Sequence, residues 1–182
     1  MQQNAVPTQQ SPERASREQP LPGVIKYFVS ALGVGFMPIA SGTWGSAFAL
    51  LFYLFIPGFW HWYVILPASI LVLLPAIPAS TKAEHVYGDD PSMVVIDEVV
   101  GMWITLASPL LPFSWTYAIV GFFIFRLFDI VKPFPANRFD AMKGGFGIMM
   151  DDVVSGIYAN IVTHLIIYGL GLFPFVYEFL KH

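Results

Sequence analysis

The stretch that decides the fold reads WYVILPASILVLLPAIPA, Trp62–Ala79, and it carries no charged side chain. It lies in a longer run of 55 residues between Lys26 and Lys82 without Asp, Glu, Lys or Arg. Moving a charge from water into hydrocarbon costs roughly 2.5–3.5 kcal/mol on insertion scales. Charge-free stretches of about 18 residues or more therefore predict membrane spans. Two further runs follow, 27 residues between Glu98 and Arg126 and 25 between Asp152 and Glu178. The charges are confined to islands at 82–98 and 126–152 and to the N-terminal end.

The hydropathy pattern predicts spans over Ser46–Pro57, Trp62–Ala79, Met93–Leu111, Trp115–Val131 and Val153–Leu172. Trp60, Trp62 and Tyr63 stand where interfacial aromatics belong, and Phe173–Phe179 is expected at the second interface. Val24–Ala40 is apolar but interrupted by glycine, which suits an interfacial or re-entrant helix, and SGTWGS, Ser41–Ser46, is expected to break the chain. The fold class expected is all-α, a multi-helix integral membrane bundle of about 4–5 spans. Residues 1–22, rich in Gln, Pro, Ser and charge, predict a disordered tail. Residues 23–182 form one membrane-embedded domain.

Composition agrees. Of the 182 residues 56% are hydrophobic and 12% charged, against about 25% charged in soluble domains, and mean hydropathy is +0.65. A net charge of −3 gives no reason to expect nucleic-acid binding. The absence of cysteine excludes disulfides, thiolate metal sites and cysteine nucleophiles. His61, His85, His164 and His182 form no zinc-like cluster, and His164 suits a hydrogen-bonded packing role.

With the N-terminus in the cytoplasm and five crossings, every Lys and Arg except Lys181 falls inside, as the positive-inside rule demands. The same assignment gathers Asp89, Asp90, Asp97, Glu98, Asp129, Asp140, Asp151 and Asp152 at one membrane face. Loop charge suffices to explain Lys82, Glu84, Asp89 and Asp90. It does not explain Asp97, Glu98, Arg126 or Asp129, which lie within apolar runs.

In MVVIDEVVGMW, Met93–Trp103, the carboxylates Asp97 and Glu98 are adjacent. Asp97, Gly101, Thr105 and Ser108 share one helical face. Such acids need a cation or a watery cavity. Either they pair with Arg126 or Lys132, or they bind a hard cation such as Mg²⁺, which takes oxygen ligands. In FRLFDIVKPFPANRFD, Phe125–Asp140, one helical turn separates Arg126 from Asp129 and Asp129 from Lys132, before Pro133 and Pro135 end the helix. A cation beside a carboxylate suits a phosphate bound through a metal. Phe134 and Phe139 are placed to enter the headgroup layer. In GGFGIMMDDVVSG, Gly144–Gly156, the glycine-rich turn offers N–H groups to an anion, and one of Asp151 and Asp152 suits a helix N-cap. Asp152, Ser155, Gly156, Ala159 and Asn160 form a small, polar face suited to close helix packing. In SGTWGS, Thr43 and Ser46 could contact phosphate oxygens, or the segment is a helix start with an interfacial Trp44.

Taken in order, GTWGS, IDEVVGMW, FRLFDIVKPFPANRFD and GGFGIMMDDVVSGIYAN resemble the phosphatidylglycerophosphatase A family, over about residues 24–170. The resemblance implies a bacterial inner-membrane, Mg²⁺-dependent phosphatase that converts phosphatidylglycerophosphate to phosphatidylglycerol and phosphate. It carries over to Thr43, Asp97, Glu98, Asp129, Lys132, Asp140, Asp151 and Asp152. The expected metal ligands are Asp97, Glu98, Asp129, Asp151 and Asp152. Among Asp97, Glu98, Asp151 and Asp152, ligand and general base are not separated. Thr43, Arg126, Lys132 and Arg138 are expected to meet the substrate phosphate at the cytoplasmic face. Two other classes fit parts of the pattern. A CDP-alcohol phosphatidyltransferase would also be helical and Mg²⁺-dependent, but its long aspartate motif is missing. A cation carrier would use the acids as a transport site, which belongs near the membrane midplane.

Overall fold

The structure, a computed structural model, describes residues 20–111 and 113–171. Residues 1–19 of the expected tail, the segment Phe173–Phe179 and Lys181 lie outside the described residues. The described residues form seven helices and no strand: α1 (Gly23–Val29), α2 (Ser41–Phe55), α3 (Trp62–Tyr87), α4 (Ile96–Leu106), α5 (Trp115–Val131), α6 (Ala136–Asp140) and α7 (Gly145–Gly171). A short 3-10 turn at Val34–Phe36 joins α1 to α2. The all-helical expectation holds.

The helix limits differ instructively from the hydropathy windows. α5 coincides with its window. α3 continues past Ala79 to Tyr87 and takes Pro67, Pro75 and Pro78 inside it. Among the described residues it is the one helix long and apolar enough to cross a membrane, with a mean hydropathy of 2.0 in its best window. SGTWGS does not break the chain. It is the first turn and a half of α2, entered through Ala40 in the left-handed conformation at φ 53°.

The largest difference is α4. The charge-free window suggests a span over Met93–Leu111, yet the helix has 11 residues and rises only about 16 Å, half the hydrocarbon thickness. Nine of those residues are buried. α4 is the central post of the bundle, packed by α2, α3, α5 and α7. Its apolarity reflects protein core on all sides, which hydropathy cannot tell from lipid.

A helix ending inside an apolar bundle must find partners for its last carbonyls. Asn160 of α7 supplies them. Its Nδ2 donates to the carbonyls of Ile104, Thr105 and Ala107 at 3.2, 2.9 and 2.8 Å. The Tyr117 hydroxyl donates to the Thr105 carbonyl at 3.0 Å. Ser108 Oγ accepts from the backbone of Leu110 and Leu111 and lies 2.8 Å from His164 Nε2. His164 is thus a hydrogen-bonded packing residue. Leaving a buried carbonyl dry costs roughly 1–3 kcal/mol. Asn160→Leu is therefore expected to lower the melting temperature in detergent by several degrees. An unchanged melting curve would show that these carbonyls have other partners.

The small face expected on α7 is where α4 and α7 touch. A Cβ on Gly156 would lie 2.5 Å from the Gly101 carbonyl oxygen. One on Gly101 would meet the Phe125 ring at 2.6 Å and the Asp152 carbonyl oxygen at 2.8 Å. The two backbones meet directly, which brings the acids of α4 and α7 together. Outward, α2 shows Leu51 and Phe55, α3 shows Ile70, Leu71 and Leu74, α5 shows Ile119, Phe123 and Ile130, and α7 shows Ile157, Ile161 and Leu165, all exposed.

Candidate active site

The chain alternates direction through α2, α3, α4, α5 and α7. The first turns of α2 and α4, the last turn of α5 and the second turn of α7 therefore meet at one end of the bundle. There a cavity of about 240 Å³ is lined by Asp90, Asp97, Glu98, Asp129, Asp151 and Asp152, with Lys132, Ser41, Ser92 and Val94. Asp97, Glu98 and Asp152 each present a carboxylate oxygen, and these three atoms lie within 4.8 Å of one another.

The cations present are already engaged. Arg126 Nη1 pairs with Asp129 Oδ2 at 2.6 Å and donates to Ser46 Oγ at 3.4 Å. Lys132, held in the left-handed conformation at the end of α5, pairs with Asp151 Oδ2 at 2.6 Å and with Asp140. Burial works against the Lys132 charge. The hydrogen bonds and charges of Asp140 and Asp151 outweigh it and hold its pKa above the usual lysine value. Among the described residues no ion pair reaches Asp97, Glu98 or Asp152. Asp97 Oδ1, Glu98 Oε2 and both Asp152 oxygens are buried without a hydrogen-bond partner. Asp97 is 8% exposed and Asp152 2%. The ion-pair alternative for Asp97 thus fails on geometry, because Arg126 and Lys132 point to other acids.

Unpaired buried carboxylates cost several kcal/mol each. Three of them converging on one point would be stabilised together by a single divalent cation. Oxygens on opposite sides of Mg²⁺ lie ~4.1 Å apart, so a modest contraction would close the three around it. The donor set is oxygen only, as a hard cation requires.

The other expected site residues divide. Asp129, Asp151 and Lys132 line the cavity. Arg126 stands behind Asp129. Thr43 lies on the first turn of α2 but is absent from the cavity wall, where Ser41 stands instead. Arg138 is exposed on α6, its guanidinium 4.8 Å from the centre of the Phe134 ring, and it too is absent from the wall. Asp140 touches the site only through Lys132. Asp151 and Asp152 are not N-caps, because α7 opens at Gly145, well before them. The N–H groups of the two glycines that open the glycine-rich turn are already taken. Gly144 N–H donates to Glu84 Oε2 at 2.7 Å and Gly145 N–H to Thr81 Oγ1 at 2.8 Å, both from the end of α3.

Sequence reasoning set Asp90 aside as loop charge. It lines the cavity with φ 41°, and burial pushes its carboxyl pKa up against the pull of Lys132. A residue of the left-handed region in a turn next to MVVIDE was the available signal, but only the fold shows which way it turns.

The family profile described as Phosphatidylglycerophosphatase A matches residues 27–167. A protein of Bacteroides thetaiotaomicron named "Putative phosphatidylinositol-3-phosphatase" is 38% identical over 153 residues, covering 78% of this chain and 92% of its own. The Escherichia coli K12 protein named phosphatidylglycerophosphatase A is 39% identical over 142 residues, 74% of this chain and 78% of its own. Its Haemophilus influenzae namesake is 37% identical over 140 residues, 76% of this chain and 85% of its own. No solved structure gives a significant match.

Proposed function

The chain belongs to the phosphatidylglycerophosphatase A family, and from that premise we propose that it is a Mg²⁺-dependent lipid phosphatase of the bacterial inner membrane. Its substrate is phosphatidylglycerophosphate and its products are phosphatidylglycerol and phosphate. The observation that carries this reading is the convergence of Asp97, Glu98 and Asp152, the two aspartates buried and Glu98 half-buried, with no ion pair to any of them among the described residues.

Asp97, Glu98 and Asp152 would hold the Mg²⁺. Bound there, the ion supplies positive charge to the phosphoryl oxygens and acidifies a bound water. Lys132 stands on the cavity wall and adds a fixed positive charge where negative charge builds up in the transition state. Asp140 and Asp151 hold its ammonium in place. The proton of the attacking water passes to one of the carboxylates that line the cavity. Water oxygen bonds to phosphorus, the ester P–O bond breaks, and the departing glycerol oxygen takes up a proton.

Five crossings account for the chain path. α2, α3, α5 and α7 face lipid with the apolar side chains described above. The fifth crossing is α4, continued by Ala107 and Ser108 before the chain turns at Pro109 and Leu110. Such backbone is tolerated at membrane depth only when buried in protein, and Asn160, Tyr117 and Ser108 satisfy it. Lys82, Arg126, Lys132, Arg138 and Lys143 all lie at the site end, which supports a site on the cytoplasmic side. The acids sit at that end rather than at mid-membrane, which weighs against a cation carrier.

Phosphate release from phosphatidylglycerophosphate by the detergent-solubilised chain tests the reading. Turnover is expected with Mg²⁺, loss of it after chelation, and recovery on adding Mg²⁺ back. Full turnover after exhaustive chelation would sink the metal mechanism. The Bacteroides relative's name makes phosphatidylinositol 3-phosphate the comparison substrate, and faster release from it would reassign the headgroup.

A further inference from the structure

The cavity wall is mostly acidic, yet on the phosphatase reading it must hold a phosphate. Its neutral hydrogen-bond donors come from Ser41 and Ser92. Ser41 is the first residue of α2, a helix of 15 residues. The first N–H groups of a helix have no partner within it and carry the positive end of its dipole. Ala40 already takes the N–H groups of Thr43 and Trp44, at 2.9 and 3.2 Å. Among the described residues the Ser41 N–H has no partner, whereas Gly42 packs against the Glu98 carboxylate and is not on the cavity wall. The end of this helix opens on the same cavity as the unpartnered oxygens of Asp97 and Asp152, both more than nine-tenths buried. A cation held by those oxygens would draw a phosphate into the cavity by its charge. The uncharged donors of α2 would then face that phosphate across the cavity.

We propose that Ser41, through its hydroxyl and its own N–H group at the start of α2, is the seat of the substrate's phosphate, in the place the sequence motif suggested for Thr43. This rests on the phosphatase reading. Ser41 holds the phosphate group itself, common to the lipid substrate and to inorganic phosphate, and takes no proton from it. Helix N-termini suit this task because they add attraction for an anion without another cation that the neighbouring carboxylates would capture.

The test is titration calorimetry on the full chain in detergent, with Mg²⁺ alone and then with inorganic phosphate at saturating Mg²⁺. Ser41→Ala is expected to weaken phosphate binding about tenfold, the loss of one hydrogen bond to a charged group, with Mg²⁺ affinity unchanged. Ser41→Thr keeps the hydroxyl and is expected to bind phosphate nearly as well as the parent. Equal phosphate affinity in Ser41→Ala and the parent overturns the proposal. So does a Ser41→Ala protein that loses Mg²⁺ affinity in step, or a folded Ser41→Thr protein that binds no better than Ser41→Ala. If Ser41→Ala does not fold, Ser41→Gly, which also lacks the hydroxyl but keeps the N–H group, gives the same comparison. A parent protein that binds neither Mg²⁺ nor phosphate fails the phosphatase reading first, and the proposal with it.

Discussion

Asp97→Asn is expected to lower turnover by a hundredfold or more, on the order of 3 kcal/mol of barrier, and to leave the protein folded. Asparagine keeps the size of the side chain and one acceptor oxygen, but it removes the charge a divalent cation needs. The protein has no cation beside Asp97 to strand, because Arg126 is held by Asp129 and Lys132 by Asp140 and Asp151. Taking one charge out of a crowd of buried acids relieves repulsion and desolvation in the metal-free state. The melting temperature without Mg²⁺ is therefore expected to stay level or rise, while the stabilisation that Mg²⁺ confers on the parent shrinks. Two measurements decide it, melting in detergent with and without Mg²⁺, and phosphate release at saturating Mg²⁺. A variant that melts well below the parent yet turns over normally while folded would return Asp97 to an ion-pair role.

Gly156→Ala is the second large effect, and it has the opposite character. The added methyl would sit 2.5 Å from the Gly101 carbonyl oxygen, so backbone must move. Overpacking of this kind costs roughly 1–3 kcal/mol. The movement also separates α4 from α7, and with them Asp97 and Glu98 from Asp152, so the metal oxygens spread beyond reach of one ion. Both melting temperature and turnover are expected to fall, and Mg²⁺ is expected to protect the variant less than the parent. Because Gly101 lies directly opposite, Gly101→Ala should behave alike, and the double variant should lose less than the sum of the two. A Gly156→Ala protein with normal stability and normal activity would show that the crossing is looser than its geometry implies.

The amino-acid sequence by itself determined the helical class, the limits of α5, and the gathering of acids at one end. Those properties follow from where charge is tolerated along the chain, and burial of charge in an apolar phase is costly wherever the helices pack. It also marked Asp97, Glu98 and Asp129, because acids inside apolar runs need a local reason, and named Asp151 and Asp152 beside them as ligands. Tertiary structure alone decided three things. It decided that α4 is an 11-residue core helix capped by Asn160, since hydropathy reads protein interior and lipid alike. It decided that the N–H groups of Gly144 and Gly145 are spent on Glu84 and Thr81, leaving Ser41 on the cavity wall, since a hydrogen bond across about 60 residues leaves no local pattern. And it decided which acids keep a cation and which do not. Arg126 takes the acid one turn along its own helix, Asp129, but only tertiary packing brings Lys132 to Asp151 and leaves oxygens of Asp97, Glu98 and Asp152 facing one another.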